Sequence, residues 1–202
     1  MKGIRDMLFR EKFPDLLTER LVLRALGRHD RDDVFTIFSD PEVMRYWNSP
    51  PMAHLGEAGA FIAKARASFS QRLSLRWGIV RRTGGRLIGT CALFHFDGHN
   101  HCAEIGYALA RNFWGQGFNH EALAAVLDYA FATLNLHRVE AELDPRNAAS
   151  IRTLERLGFV REGVLRERCI VNGELSDSLV MGLLAHESGS DQSGPRRNHD
   201  QE

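Results

Sequence analysis

The stretch AEIGYALARNFWGQGFNHEAL, residues 103–123, decides the fold. It opens as a strand, with Glu104 on the face of Cys102 and Gly106 and with Ala103 and Ile105 on the opposite face. The loop RNFWGQG follows at 111–117. It leads into a helix over 118–134, whose Leu123, Val126, Leu127, Ala130 and Leu134 form one apolar stripe. Residues 137–143 read as the next strand. A strand, a helix-length connection and a strand make a βαβ crossover, which sets the two strands parallel.

Upstream, the strands are joined differently. Residues 21–25 (LVLRA) alternate as a strand does, and so do Leu75, Trp77 and Ile79. Thr83-Gly84-Gly85 marks a turn into a strand at 87–96, and Asp97-Gly98 marks another into 103–109. Short turns make antiparallel neighbours, so the sheet begins as a meander. Helices are expected at 30–38, with Val34, Ile37 and Phe38 inward and Pro41 past the end. Another is expected at 57–72, with Phe61, Ala65 and Phe69 four apart. A short helix at 147–157 stops at Gly158, and a last hairpin turns at Asn172-Gly173. The class is α+β, a mixed and mostly antiparallel sheet with one crossover. One domain is expected over 1–187, followed by a disordered polar tail at 188–202 (SGSDQSGPRRNHDQE).

Composition narrows the function. Lys+Arg and Asp+Glu both total 26, so there is no basic excess to hold a nucleic acid stably. Cys91, Cys102 and Cys169 are odd in number and include no CxxC pair, which argues against a disulfide framework or a structural zinc. The opening MKGIRDMLFREKFP has no apolar core of a leader, and no apolar run reaches the ~18 residues of a membrane span. A cytoplasmic enzyme away from the membrane is the expectation.

The chemistry gathers at Trp114-Gly115-Gln116-Gly117, between a strand and a helix start. Glycine lets backbone approach a ligand closely, and the free N–H groups of a helix start favour an anion. A ligand-free tight turn would read the same way. A dinucleotide fingerprint fits poorly: Glu140 lies roughly where a ribose-binding acid would fall, but the third glycine position is His120 and the sheet opens as a meander. A Walker loop fails for want of GK[ST].

Taken with LNLHRVEAELDPRNAASIRTLERLGF (134–159), TERLVLRAL (18–26) and DPEVMRYW (40–47), this stretch resembles the GNAT superfamily of N-acetyltransferases. The likeness is greatest to its RimJ/RimL branch, which acetylates ribosomal-protein N-termini, and it covers about 17–184. The resemblance implies the GNAT fold, with helices on both faces of the sheet, and acetyl-CoA as cosubstrate. It further implies an amine acceptor, taken to be a protein N-terminal α-amine. A small-molecule amine (polyamine, aminoglycoside or amino acid) stays open, as does a non-catalytic acyl-CoA-binding module. A homodimer follows by analogy alone.

The family's loop Q/R-x-x-G-x-G/A holds the CoA pyrophosphate, which implies roles here for Asn112, Trp114, Gly115, Gln116 and Gly117. The amides of Gln116, Gly117, Phe118 and Asn119 would face the phosphates. Asn112 departs from the family's Gln or Arg, with Arg111 beside it. By the same resemblance Ile105, Gly106 and Tyr107 offer their backbone to the pantetheine arm, and Asn147 lies near its amide. An N-cap role would suit Asn147 equally.

Aminolysis of a thioester needs a neutral amine, a stabilised oxyanion and a protonated thiolate. An α-amine with pKa near ~8 is roughly one-tenth neutral at pH 7, whereas lysine near ~10.4 is neutral in fewer than ~1 in 1,000 molecules. Glu104 is the candidate base, with a solvated carboxylate at a sheet edge as the competing reading. The oxyanion would meet a backbone N–H near Ile105 or Gly106. Many family members carry an acidic tyrosine where this chain has Leu154, and the N-x-x-S pattern implies Ser150 instead. Ser150 could equally just fill the helix's first turn. His95, His99, His101 and Cys102 crowd one hairpin without any common zinc spacing, so no metal is expected. Tyr46, Trp47 and Asn48 stand where the resembling branch keeps acceptor-site residues, and Tyr46 reads equally as core.

Overall fold

Leu75, Trp77 and Ile79 are fully buried, as strand alternation beneath a helical layer requires. The computed structural model describes residues 12–171 and 173–188. The readings of residues 1–11, of the turn residue Asn172 and of the tail over 189–202 lie outside the described residues. Ser188 is buried, and its hydroxyl donates to the Ala185 carbonyl at 2.8 Å.

In chain order the elements are β1 (Leu16–Leu17), β2 (Leu21–Ala25), α1 (Arg31–Phe38), α2 (Pro41–Met44) and α3 (Leu55–Ser70). Then come β3 (Ser74–Arg81), β4 (Leu87–Asp97), β5 (Cys102–Leu109), α4 (Phe118–Asp128) and β6 (Arg138–Leu143). Last are α5 (Ala148–Arg156), β7 (Val160–Val171) and β8 (Glu174–Leu184). One sheet runs β1-β2-β3-β4-β5-β6-β8-β7, antiparallel except where β5 meets β6.

That parallel pairing is short. Cys102 faces Arg138, Ala103 faces Val139 and Glu104 faces Glu140, and there the ladder stops. β5 stays paired with β4 as far as Leu109 opposite Gly89, and β6 stays with β8 as far as Leu143 opposite Leu179. The sheet therefore forks. At the last rung two carboxylates stand on adjacent strands, and like charges directly opposite disfavour continued pairing. Each carboxylate has turned to a partner of its own, Glu104 to His95 and Glu140 to Arg138.

Helices cover both faces. Leu123, Val126 and Leu127 of α4 and Ile151 and Leu154 of α5 pack on Ala103, Ile105, Trp77 and Ile79. On the other face, Val34, Ile37 and Phe38 of α1 and Ala58, Ile62 and Ala65 of α3 pack on Val80, Leu87 and Ala108. The stripe of α3 differs from the expected 61, 65 and 69. Phe61 and Phe69 are only partly buried, and Phe61 leans instead on the Phe38 ring, 4.8 Å between centroids. Pro41 does not simply follow a helix end. Asp40 caps the Glu42 N–H at 2.9 Å and Pro41 starts a one-turn helix, where its missing N–H costs nothing. The long helix after the glycine loop ends in a π turn, Tyr129–Thr133, that keeps Ala130 in the core.

The carboxylate of Asp30 links β2 to α1. It takes two bonds from Arg24, both 2.7 Å, and one from the Gly27 N–H, also 2.7 Å. Burial would raise its pKa, but these bonds outweigh it and hold the group below the ordinary carboxylate range. The stability it confers is therefore present above the unfolded value of ~4 and lost as pH falls through the lower folded value. We expect Asp30→Asn to lose about 3 kcal/mol in urea unfolding at pH 7, since Arg24 is left half-buried and unpaired. The deficit should shrink steadily below pH 4. A deficit unchanged at pH 3 would contradict the ionised pair.

Candidate active site

Where β5 and β6 part, a cavity of about 530 Å³ opens between them. Parity sets its two halves. Glu104 and Gly106 point to the α1–α3 face, and Ile105 and Tyr107 point to the α4–α5 face. Side chains from both faces line the cavity, including Trp47, Arg76 and Phe94 on the first and Asn147, Ser150 and Leu154 on the second. The opening runs through the sheet.

Glu104 lies on an interior strand, at the last rung before the β5 edge is left free. Its Oε1 is 2.8 Å from Nδ1 of His95, with 27% of the Glu104 side chain and 71% of the histidine exposed. Phe94 is the residue opposite Glu104, so regular alternation would send His95 to the other face. A bulge prevents this. The β4–β5 register shifts between Phe94 and Asp97, and His95 takes φ 50°. Bulges re-aim side chains, and this one turns His95 onto Glu104. The rest of that hairpin is not gathered on a metal. His101 Nδ1 meets the Asn135 carbonyl, Cys102 meets the Asn100 carbonyl, and no three metal-ligating side chains converge among the described residues.

Across the gap, Ser150 Oγ lies 2.5 Å from the Tyr107 hydroxyl. Burial pushes Tyr107 up to about 12, against the opposing effect of the Ser150 bond, so the phenol is a neutral donor at physiological pH. Asn147 is the N-cap of α5, its Oδ1 accepting from the Ser150 N–H at 3.1 Å, and it also lines the cavity. Leu154 offers only aliphatic wall. Cys91 is buried in the core with its thiol pushed up to about 12, which makes it no nucleophile.

The glycine loop sits at the start of α4. Gly115 and Gly117 take φ 71° and 79°, left-handed values that glycine adopts without strain, and Gly117 caps α4. A Cβ at Gly115 would meet nothing within 4 Å, so the loop presents bare backbone. Side chains fix its shape. Trp114 Nε1 donates to the Leu109 carbonyl at 2.7 Å and Gln116 Nε2 to the Asn112 carbonyl at 2.9 Å. Arg20 donates to the Gln116 carbonyl at 3.0 Å and to Glu121 at 2.6 Å, while its guanidinium lies 4.4 Å over the Phe118 ring. Asn119 Oδ1 is buried with no hydrogen-bond partner among the described residues. First-turn N–H groups without helical acceptors make this end suited to a pyrophosphate. The unpaired β5 edge beyond Glu104 suits an extended amide-bearing arm, as acetyl-CoA would supply.

Sequence reasoning missed Arg20, Arg76, His95 and the Tyr107 hydroxyl. Arg76 carried a legible signal, a charge amid the alternating apolar residues of a strand covered on both faces. His95 carried none, because a bulge leaves no periodic trace.

Known proteins share this fold. The acetyltransferase (GNAT) domain family matches residues 20–160. An uncharacterized N-acetyltransferase, p20 of Bacillus licheniformis, is 39% identical over 172 residues, 85% of this chain and 97% of that protein. The crystal structure of Vibrio cholerae spermidine N-acetyltransferase with CoA and spermine superposes with TM-score 0.74 at 27% identity, over 84% of this chain and 98% of that one. Mycobacterium smegmatis RimJ with CoA-disulfide gives 0.76 at 25% identity, over 86% and 87%. With its forked mixed sheet, its glycine loop and these relatives, the chain belongs to the GNAT family of acetyl-CoA-dependent N-acetyltransferases.

Proposed function

We propose that the acceptor is an α-amine at a protein N-terminus, with Glu104 as the base that receives its proton. The Glu104–His95 pair carries this reading. It is a carboxylate at the point where the strands part, bonded at 2.8 Å to an exposed imidazole that leads toward solvent. An α-amine asks little of such a base, since a tenth of it is already neutral at about pH 7. Bound acetyl-CoA supplies an acetyl thioester. Around it, Ile105, Gly106 and Tyr107 offer the free strand edge to the pantetheine and a backbone N–H to the developing oxyanion. Asn112, Trp114, Gly115, Gln116, Gly117, Phe118 and Asn119 form the pyrophosphate cradle, and Asn147 completes the arm's wall. Ser150, with Tyr107 behind it, hands a proton to the departing sulfur.

The donor would enter from the α4–α5 face and the amine from the α1–α3 face. A polyamine acceptor, as in the spermidine acetyltransferase relative, would need free carboxylates. Of the carboxylates lining this cavity, Glu142 is paired with Arg168 at 3.5 Å and Asp144 with Arg146 at 2.6 Å, which leaves Asp177, bonded to the Glu167 N–H, and the proposed base Glu104. A cytoplasmic location belongs to the same proposal; no helix among the described residues is long and apolar enough to cross a membrane. A homodimer is supported by the edge strand β7, whose Val160, Val164, Leu165 and Ile170 are exposed.

Mass-spectrometric transfer assays with N-terminal peptides, a lysine peptide, spermidine and an aminoglycoside test the acceptor. Peptide N-termini should be acetylated fastest, and Glu104→Gln should lower kcat/KM by about 100-fold. Exclusive acetylation of spermidine, or full activity in the variant, would contradict the proposal. Ser150→Ala and Tyr107→Phe should each lower kcat while CoA affinity by calorimetry holds. The double variant should lose little more than the worse single one, because the hydroxyls act as a unit. Multiplicative losses would show two independent roles.

A further inference from the structure

Arg76 is the cation that the reading above does not use. It sits on β3 between the buried Leu75 and Trp77, and pleat parity turns it to the α1–α3 face, the side proposed for the amine. In the sheet it is opposite Ala92, which is in turn opposite Gly106, so Arg76 stands in line with the gap, about 10 Å across two strand spacings. Its side chain lines the cavity and its guanidinium lies 5.0 Å over the Phe61 ring. No carboxylate or hydrogen-bond acceptor among the described residues meets it. Burial holds its pKa below the usual guanidinium value, against a smaller opposing effect from Cys91.

Magnitudes decide what this means. Arg76 is partly buried, and a cation over an aromatic face recovers about 0.5–2 kcal/mol, which offsets only part of the hydration lost by an unpaired charge. Among the described residues, every other charged side chain on the cavity wall has a hydrogen-bond or ion-pair partner. Glu104 has His95, Glu142 has Arg168, Asp144 has Arg146, and Asp177 accepts the Glu167 N–H at 2.9 Å. Arg76 is left facing the cavity, with its guanidinium over the Phe61 ring.

We propose that Arg76 is an anion subsite that receives a carboxylate carried by the amine acceptor. This rests on the acetyl-transfer reading and adds to it that the acceptor is anionic near its amine. The carboxylate has two sources, the side chain of an acidic first residue in a peptide or the α-carboxylate of a free amino acid.

Paired acceptors test this. A Glu-initiated peptide is compared with its Gln-initiated twin, and a free amino acid with its amide, by initial rates in wild type and Arg76→Gln. The wild type should favour the carboxylate member of one pair by about tenfold or more, and which pair responds identifies the source. Arg76→Gln should bring that ratio close to one, and Arg76→Lys should restore part of it. Melting temperature and CoA affinity verify that the variants are folded. Calorimetric binding of the N-acetylated product of each pair reads the subsite without turnover. A failed reaction with charge preference still dependent on Arg76 would therefore sink the reaction reading and keep the subsite. Equal rates and equal binding within both wild-type pairs, or a preference that survives Arg76→Gln, would overturn it.

Discussion

The site depends on a parallel pairing of three rungs that stops at Glu104 and Glu140. Had β5 and β6 stayed paired, the sheet would close and no cavity would pass through it. Each strand is committed elsewhere along its length, β5 to β4 and β6 to β8, so the fork needs no strained backbone at the point of parting. It leaves backbone N–H and C=O groups of β5 unpaired inside the molecule, a cost that a bound arm would relieve by adding a strand. Arg138 steadies the far branch by joining Glu140 to Glu162 across β6, β8 and β7.

From that opening follows a division of labour between the faces of the sheet. Residues of even number on β5 reach the α1–α3 side and odd ones the α4–α5 side, so Glu104 and the Tyr107–Ser150 pair approach one gap from opposite directions. Under the proposed reaction, donor and acceptor would not share an entrance. Among the described residues, each charged side chain on the cavity wall except Arg76 has a hydrogen-bond or ion-pair partner.

Most of this architecture was legible in the residues. Alternation at Leu75, Trp77 and Ile79, the stripe from Leu123 to Leu134 and the turn glycines located the strands, the main helix and the crossover, because burial on a regular lattice writes a period into sequence. The α3 stripe was misjudged by one position, since Phe61 serves Phe38 and Arg76 and so is only partly buried. At the site, the family resemblance pointed to Glu104, Ser150 and the loop, and the coordinates bring Glu104, Ser150 and Asn147 to one cavity. What stayed hidden depends on irregular backbone or long-range contact. The bulge that aims His95, the hydroxyl contact between residues 107 and 150, and the reach of Arg20 to Glu121 leave no local pattern.

Whether acetyl-CoA lies in the gap between β5 and β6 is the direct test of the proposed site. Amide hydrogen exchange of the protein with and without CoA measures this residue by residue. The account predicts new protection at residues 105–107 on β5 and at 116–119 around the start of α4, with β2 and β3 unchanged. CoA binding that protects neither segment, or that protects only the α1–α3 layer, would contradict it.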